Sequence, residues 1–179
     1  MIADGARSLG RTWRLRDADS TLRLFLSAFL ITLTIGYGVG LAFVKHTTSG
    51  TPAGLAEEYR GNGDPAAGAE LKYEKSENEL YTLIHNHILS LSMVFLVVGG
   101  LFYFSSLVKE GLRKFLMIEP LVALITTFGG IWLMRFVSPG FSWLVLVSGV
   151  TMVGCYFAMV ILMLIELWRS RSSVQQNRL

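Results

Sequence analysis

Residues 141–165, FSWLVLVSGVTMVGCYFAMVILMLI, contain no Asp, Glu, Lys, Arg or His. Wound as a helix at ~1.5 Å per residue, such a run crosses the ~30 Å hydrocarbon core of a bilayer, where the backbone must satisfy its own hydrogen bonds. Three further stretches match it. Leu24–Val44 is uncharged, Leu80–Val108 carries neither charge nor histidine from Ile88 onward, and Phe115–Phe136 is interrupted only by Glu119 and Arg135. With their interfacial ends, the expected spans are about 22–44, 80–108, 115–136 and 141–168, separated after the first by a loop at about 45–79. The fold expected from this pattern is all-α: an antiparallel four-transmembrane-helix bundle forming one membrane domain over 1–179.

Composition excludes the main alternatives. Of 179 residues 52% are hydrophobic and 16% charged, more apolar surface than a small soluble domain can hide. One cysteine rules out a disulfide scaffold, and the hydrophobicity rules out disorder. The first span is longer than the roughly 7–15 residues of a signal-peptide core and lacks a convincing small-x-small cleavage site, so it reads as a retained anchor. The net charge is +3, but the basic residues flank the apolar runs and form no patch with exposed aromatics. Nucleic acid is not an expected partner; the lipid bilayer is.

Those flanking charges set a direction. Arg7, Arg11, Arg14, Arg16 and Arg23 precede the first span, Lys109, Arg113 and Lys114 lie between the second and third, and Arg169, Arg171 and Arg178 follow the fourth. Lys45, Arg60, Lys72, Lys75 and Arg135 occupy the opposite side, whose long loop also carries seven acids. The expected topology is a multi-pass membrane protein with both termini cytoplasmic. Trp132 and Trp143 then fall at the outer interface and Trp168 at the inner one.

The outer loop carries its own folding signals. Thr51-Pro52 reads as an N-cap with proline at the first helical position, and Gly61 as the stop. Leu55, Ala56 and Tyr59 give that short helix an apolar face, and Gly61-Asn62-Gly63-Asp64-Pro65 is a turn cluster. Ser76-Glu77-Asn78-Glu79 is a capping box, so the second long helix is expected to begin near Glu77.

All three histidines fall at this outer rim. His85 and His87 are two apart on a helix, pointing roughly 200° from one another, and cannot grip one ion. The recurrence of Asn78, Tyr81, His85, Ser92 and Gly99 makes His85 the expected inward residue, while His87 shares a face with Leu83, Leu91, Val94 and Val98. Imidazole ligates haem iron or a metal and hydrogen-bonds a quinone. His85, with His46 as second ligand, is therefore the candidate metal or haem b site, and His87, Tyr81 and Arg135 complete the candidate haem or quinone rim. Arg135 would hold a propionate or pair with a loop acid. Histidines bonded to carbonyls or headgroups are the plainer reading.

Deeper residues suggest packing. Gly36-x-x-x-Gly40, Gly99-Gly100 and Gly129-Gly130 offer close helix approach. Met152, Met159, Met163 and Cys155 read as core, and Glu166 as interfacial. Glu119, followed by the helix-bending Pro120, is the one intramembrane acid, expected to reach back to Arg113 or Lys114. From Ile88 to Val108, Pro120 to Met134 and Phe141 to Ile165 there is no carboxylate, lysine, arginine or histidine, which argues against autonomous ion transport, and no catalytic motif is present. Enzymatic activity is not expected.

Thr48-Ser49-Gly50-Thr51-Pro52-Ala53-Gly54, Tyr59-Arg60-Gly61, Lys75-Ser76 and then His85-Asn86-His87 opening a span together resemble small bacterial four-helix inner-membrane proteins of unassigned function. The resemblance covers about a third of the chain. It implies company with respiratory or c-type cytochrome systems and carries no activity or ligand residues. Three functional readings follow: an accessory protein docking other membrane or periplasmic electron-transfer proteins through its outer rim, a haem- or quinone-binding redox subunit, or a structural, lipid-binding bundle without cofactor.

Overall fold

The computed structural model describes residues 13–63 and 70–169; Arg7, Arg11, Arg171, Arg178, Asp64 and Pro65 lie outside them. Five α-helices make up the described chain: α1 (Ser20–Thr48), α2 (Pro52–Arg60), α3 (Glu77–Phe102), α4 (Glu110–Phe136) and α5 (Ser142–Trp168). Short 3₁₀ turns at Leu15–Asp17 and Pro139–Phe141 precede α1 and α5, and no strand occurs among the described residues. α1, α3, α4 and α5 are each long and apolar enough to cross a membrane.

Local chemistry fixes the helix ends. Asp19 caps α1 by accepting from the Leu22 amide at 2.9 Å, and Ser49 stops it in the left-handed conformation, φ 56°. Thr51 caps α2 with Pro52 in the first turn, and Gly61 ends it. The capping box of α3 is reciprocal: Glu79 N donates to Ser76 Oγ at 3.3 Å, and Ser76 N to Glu79 Oε2 at 2.8 Å. Three boundaries differ from those read in the sequence, the first being α1, which runs on to Thr48 instead of stopping at 44. α3 ends at Phe102 instead of continuing to 108, because Ser105 and Ser106 turn toward the carboxylate of Glu166. α4 starts at Glu110 rather than 115, its first turn closed by a Glu110–Lys114 pair at 2.7 Å.

The α4–α5 pair is the core of the assembly. Gly130 lets α5 come so close that an added Cβ would lie 3.0 Å from a Val145 methyl, and Thr127 and Ser148 share a hydroxyl bond of 2.7 Å beside it. α3 rests on α4, with His87 stacked on Phe128 and Gly99 over Met117. α1 leans on α5 through a stacked Tyr37–Tyr156 pair, a Thr34–Tyr156 hydroxyl contact at 3.2 Å and a bond from Trp168 Nε1 to Ser27 at 3.0 Å. In lipid, where apolar burial gives no drive, close packing and such interhelical bonds hold helices together. Met159 and Met163 are fully enclosed and Met152 nearly so, as packing residues.

The glycines divide. Among the described residues nothing comes within 4 Å of a Cβ built at Gly36, Gly40, Gly100 or Gly129, so of the glycines expected to allow close approach, Gly99 and Gly130 are the ones that meet a described neighbour. The outward face of α1, with Ile31, Ile35, Val39 and Phe43 exposed, is left for lipid.

Candidate functional site

The end of the assembly that carries α2 is termed the loop end, and the opposite end, with the 103–109 connection, the link end. At the loop end Glu58, Arg60, Lys72, Glu74, Lys75 and Arg135 fasten the loop. Arg60 Nη1 donates to the carbonyls of Met134 and Arg135 at 2.9 and 3.1 Å, closing the C-terminus of α4. Arg135 answers with Nε on the Lys75 carbonyl at 3.0 Å and an ion pair to Glu74 at 2.5 Å. Glu58 receives Lys72 at 3.2 Å and Lys75 at 3.4 Å, while Lys72 also donates to the Thr47 carbonyl. Asn62 bridges the two strands of the loop, giving Nδ2 to the Glu70 carbonyl and taking the Lys72 amide.

Two glycines make this latch sterically possible. A Cβ on Gly54 would stand 1.9 Å from the Thr48 carbonyl oxygen, where only hydrogen fits. Gly61 has φ 79°, and a Cβ there would meet the Lys72 carbonyl at 2.9 Å. Tyr59 packs beneath, and burial, followed by the neighbouring charge of Glu58, pushes its phenol up to about 12 from 10.0. The sign follows. An unfolded phenol ionises near 10.0 and the folded one near 12, so the contribution of the neutral ring is intact below the lower value and is lost as pH rises between them. Proteolysis of the loop should accelerate across that window, and the part of the acceleration due to Tyr59 should be missing in Tyr59→Phe.

The histidines divide in the opposite sense to the expected stripe. His87 is the one turned to a neighbouring helix: it stacks on Phe128 at 5.1 Å, and its Nδ1 donates to the Leu83 carbonyl at 2.8 Å. Leu83, Leu91, Val94 and Val98 accompany it against the core. His85 and Tyr81 face outward, as does His46 on α1, and none of the three makes a hydrogen bond, ion pair or ring contact with described residues. No group of three or more His, Cys, Asp or Glu arranged to hold a metal occurs among the described residues. The reason for the reversal is plain in retrospect. The apolar residues of α3, not its polar ones, choose the face that packs. Between α2 and the Pro139–Phe141 turn runs an open, almost wholly apolar groove of about 470 Å³, edged by Pro52, Ala56, Pro139 and the exposed Trp143.

Glu119, the acid within a span, also departs from expectation. Glu119 does not reach Arg113 or Lys114: Arg113 donates to the Ser105 carbonyl and lies over Tyr103, and Lys114 is taken by Glu110. Its carboxylate instead faces the Cys155 thiol, midway along α5, with Oε2 enclosed and lacking a hydrogen-bond partner. Glu166, read as interfacial, is 1% exposed. Ser105 Oγ donates to its Oε2 at 2.5 Å, Ser106 Oγ to Oε1 at 2.6 Å, and the Ser106 amide to both oxygens at 2.9 Å. The serine doublet near the end of one apolar run and the acid near the end of another were the signal for this clasp, visible only once both runs are laid at the same end.

Four membrane-length helices, a latched loop and an interior of helix packing define an integral, multi-pass helical membrane protein. Its family can be stated as well. The profile of the Aq_1264_TM family, a transmembrane helical domain, matches residues 49–174, and the chain belongs to that family. No curated protein and no solved structure matches it.

Proposed function

We propose that the protein is an accessory subunit of a bacterial inner membrane, whose loop end is an outward-facing docking platform for another membrane or periplasmic protein of an electron-transfer assembly. One observation carries this reading. Arg60, Lys72, Lys75 and Arg135 are all spent internally on making the loop rigid, while His46, His85, Tyr81 and the apolar groove beside Trp143 are left outward with no partner among the described residues. A preorganised surface with aromatic and apolar anchors is what a protein partner uses.

The antiparallel arrangement is supported by paired contacts in which rising numbers meet falling ones: Thr127 with Ser148 and Gly130 with Val145, His87 with Phe128 and Gly99 with Met117, Ser27 with Trp168 and Tyr37 with Tyr156. Cytoplasmic termini are supported by the excess of basic residues at the link end.

A photo-crosslinking residue at Tyr81 or His85 should capture a discrete partner in intact cells, while one at Val39 on the lipid face of α1 should not. Capture from neither rim position would end the docking reading. The free imidazole of His85 favours one competing role, a haem or quinone held at the rim. That role predicts a Soret band, or a bound quinone, in gently solubilised protein that disappears in His85→Ala; docking alone predicts a colourless protein that still crosslinks.

A further inference from the structure

In the non-helical residues 71–75, just ahead of α3, two lysines turn inward and two apolar side chains turn out. Lys72 and Lys75 turn inward to Glu58, Lys72 reaching the Thr47 carbonyl as well, while Glu74 pairs with Arg135 from a position that stays 63% exposed. Leu71 and Tyr73, on either side of Lys72, point away from the protein and are 45% and 78% exposed. A segment bathed in water shows the reverse, with charges outward and apolar side chains tucked in.

The attachment points give the level at which these side chains emerge. Lys72 is tied to the last turn of α1, and one turn back along that helix Phe43 and Val44 are exposed on the lipid-facing surface. Glu74 is tied to Arg135, beside the exposed Phe136 and Val137. Leu71 and Tyr73 therefore continue the bilayer-contacting surface of α1 and α4 at its loop-end margin. An aliphatic side chain next to a tyrosine, whose ring is apolar and whose tip is polar, matches the headgroup boundary.

We infer that residues 70–75 are an interfacial anchor: Leu71 and Tyr73 enter the headgroup layer and hold the loop flat on the membrane. The occupant of this patch is phospholipid. The inference stands apart from the docking role, since it concerns a different face and needs no second protein.

The test uses full-length protein alone in phosphatidylcholine vesicles. Leu71→Cys, Tyr73→Cys, Glu57→Cys and Val39→Cys are made in a Cys155→Ala chain and labelled with an environment-sensitive fluorophore. Labels at 71 and 73 should emit to the blue of the label at 57. Shallow spin-labelled lipid should quench them more than deep spin-labelled lipid does, and the label at 39 should show the opposite order. Emission at 71 and 73 matching position 57, with quenching by aqueous iodide, would overturn the inference and leave the patch to a protein partner. Quenching strongest from deep lipid, as at 39, would overturn it too.

Discussion

Gly54→Ala protein should lose its docked α2. The added methyl would lie 1.9 Å from the Thr48 carbonyl oxygen and 2.7 Å from its carbon, and these are backbone atoms with no rotamer to escape into. The junction of α1 and α2 must open, which withdraws the Thr51 cap, the Glu58 pairs and the Arg60 bonds from their partners. Overpacking of this kind costs about 3 kcal/mol, the upper end of the usual range. Limited proteolysis should therefore cut between residues 50 and 75 far faster than in wild type, with a lower unfolding temperature in detergent. Gly36→Ala is the matched control: no described residue lies within 4 Å of its Cβ, and its stability should be unchanged. Equal protease resistance in the two variants would mean that α2 is not seated against the end of α1.

Glu166→Ala should be the most damaging change at the link end. It strands the Ser105 hydroxyl and the Ser106 amide and hydroxyl, all gathered on one buried carboxylate. Each buried donor left without an acceptor costs about 1–3 kcal/mol, so the loss should exceed that of any single serine. The 103–109 connection would then fray, together with the segment before α1, where Leu15 N bonds the Phe104 carbonyl at 3.3 Å and Trp13 meets Phe104 edge-on. Glu166→Gln keeps shape and one acceptor and should fall between wild type and alanine. Amide hydrogen exchange over 103–109 reads the effect directly. Protection unchanged in Glu166→Ala would show that the clasp contributes nothing.

Much of the architecture was legible because a bilayer imposes it. Length and the absence of charge located four helices, and the Thr51-Pro52, Gly61 and Ser76–Glu79 signals located both ends of α2 and the start of α3. Local chemistry of that kind is written in neighbouring residues. What was not legible depends on partners distant in sequence. The Ser105–Ser106 clasp is 60 positions from its acid, Arg60 caps a helix 74 positions later, and Glu119 turns to Cys155 instead of the cations one to two turns away. The face of α3 was misjudged because its polar stripe is as periodic as its apolar one, and only packing on Phe128 separates His87 from His85.

The loop motif that drew attention in the sequence is accounted for by mechanics. Thr51, Pro52 and Gly54 start α2 and seat it, Tyr59 fills the space beneath, Arg60 caps α4, Gly61 lets the chain pass Lys72, and Lys75 and Ser76 hand it to α3. None of these residues needs a ligand to explain it. The groups left over, His46, His85 and Tyr81, are the ones on which function is staked.

Every functional statement depends on which end of the molecule faces outward. Glu57→Cys on α2 and Lys109→Cys in the link, each in a Cys155→Ala chain, report the two ends from exposed positions. With a membrane-impermeant maleimide on intact cells, position 57 should label at once and position 109 only after permeabilisation. Labelling of 109 with protection of 57 would place the platform in the cytoplasm and contradict the account.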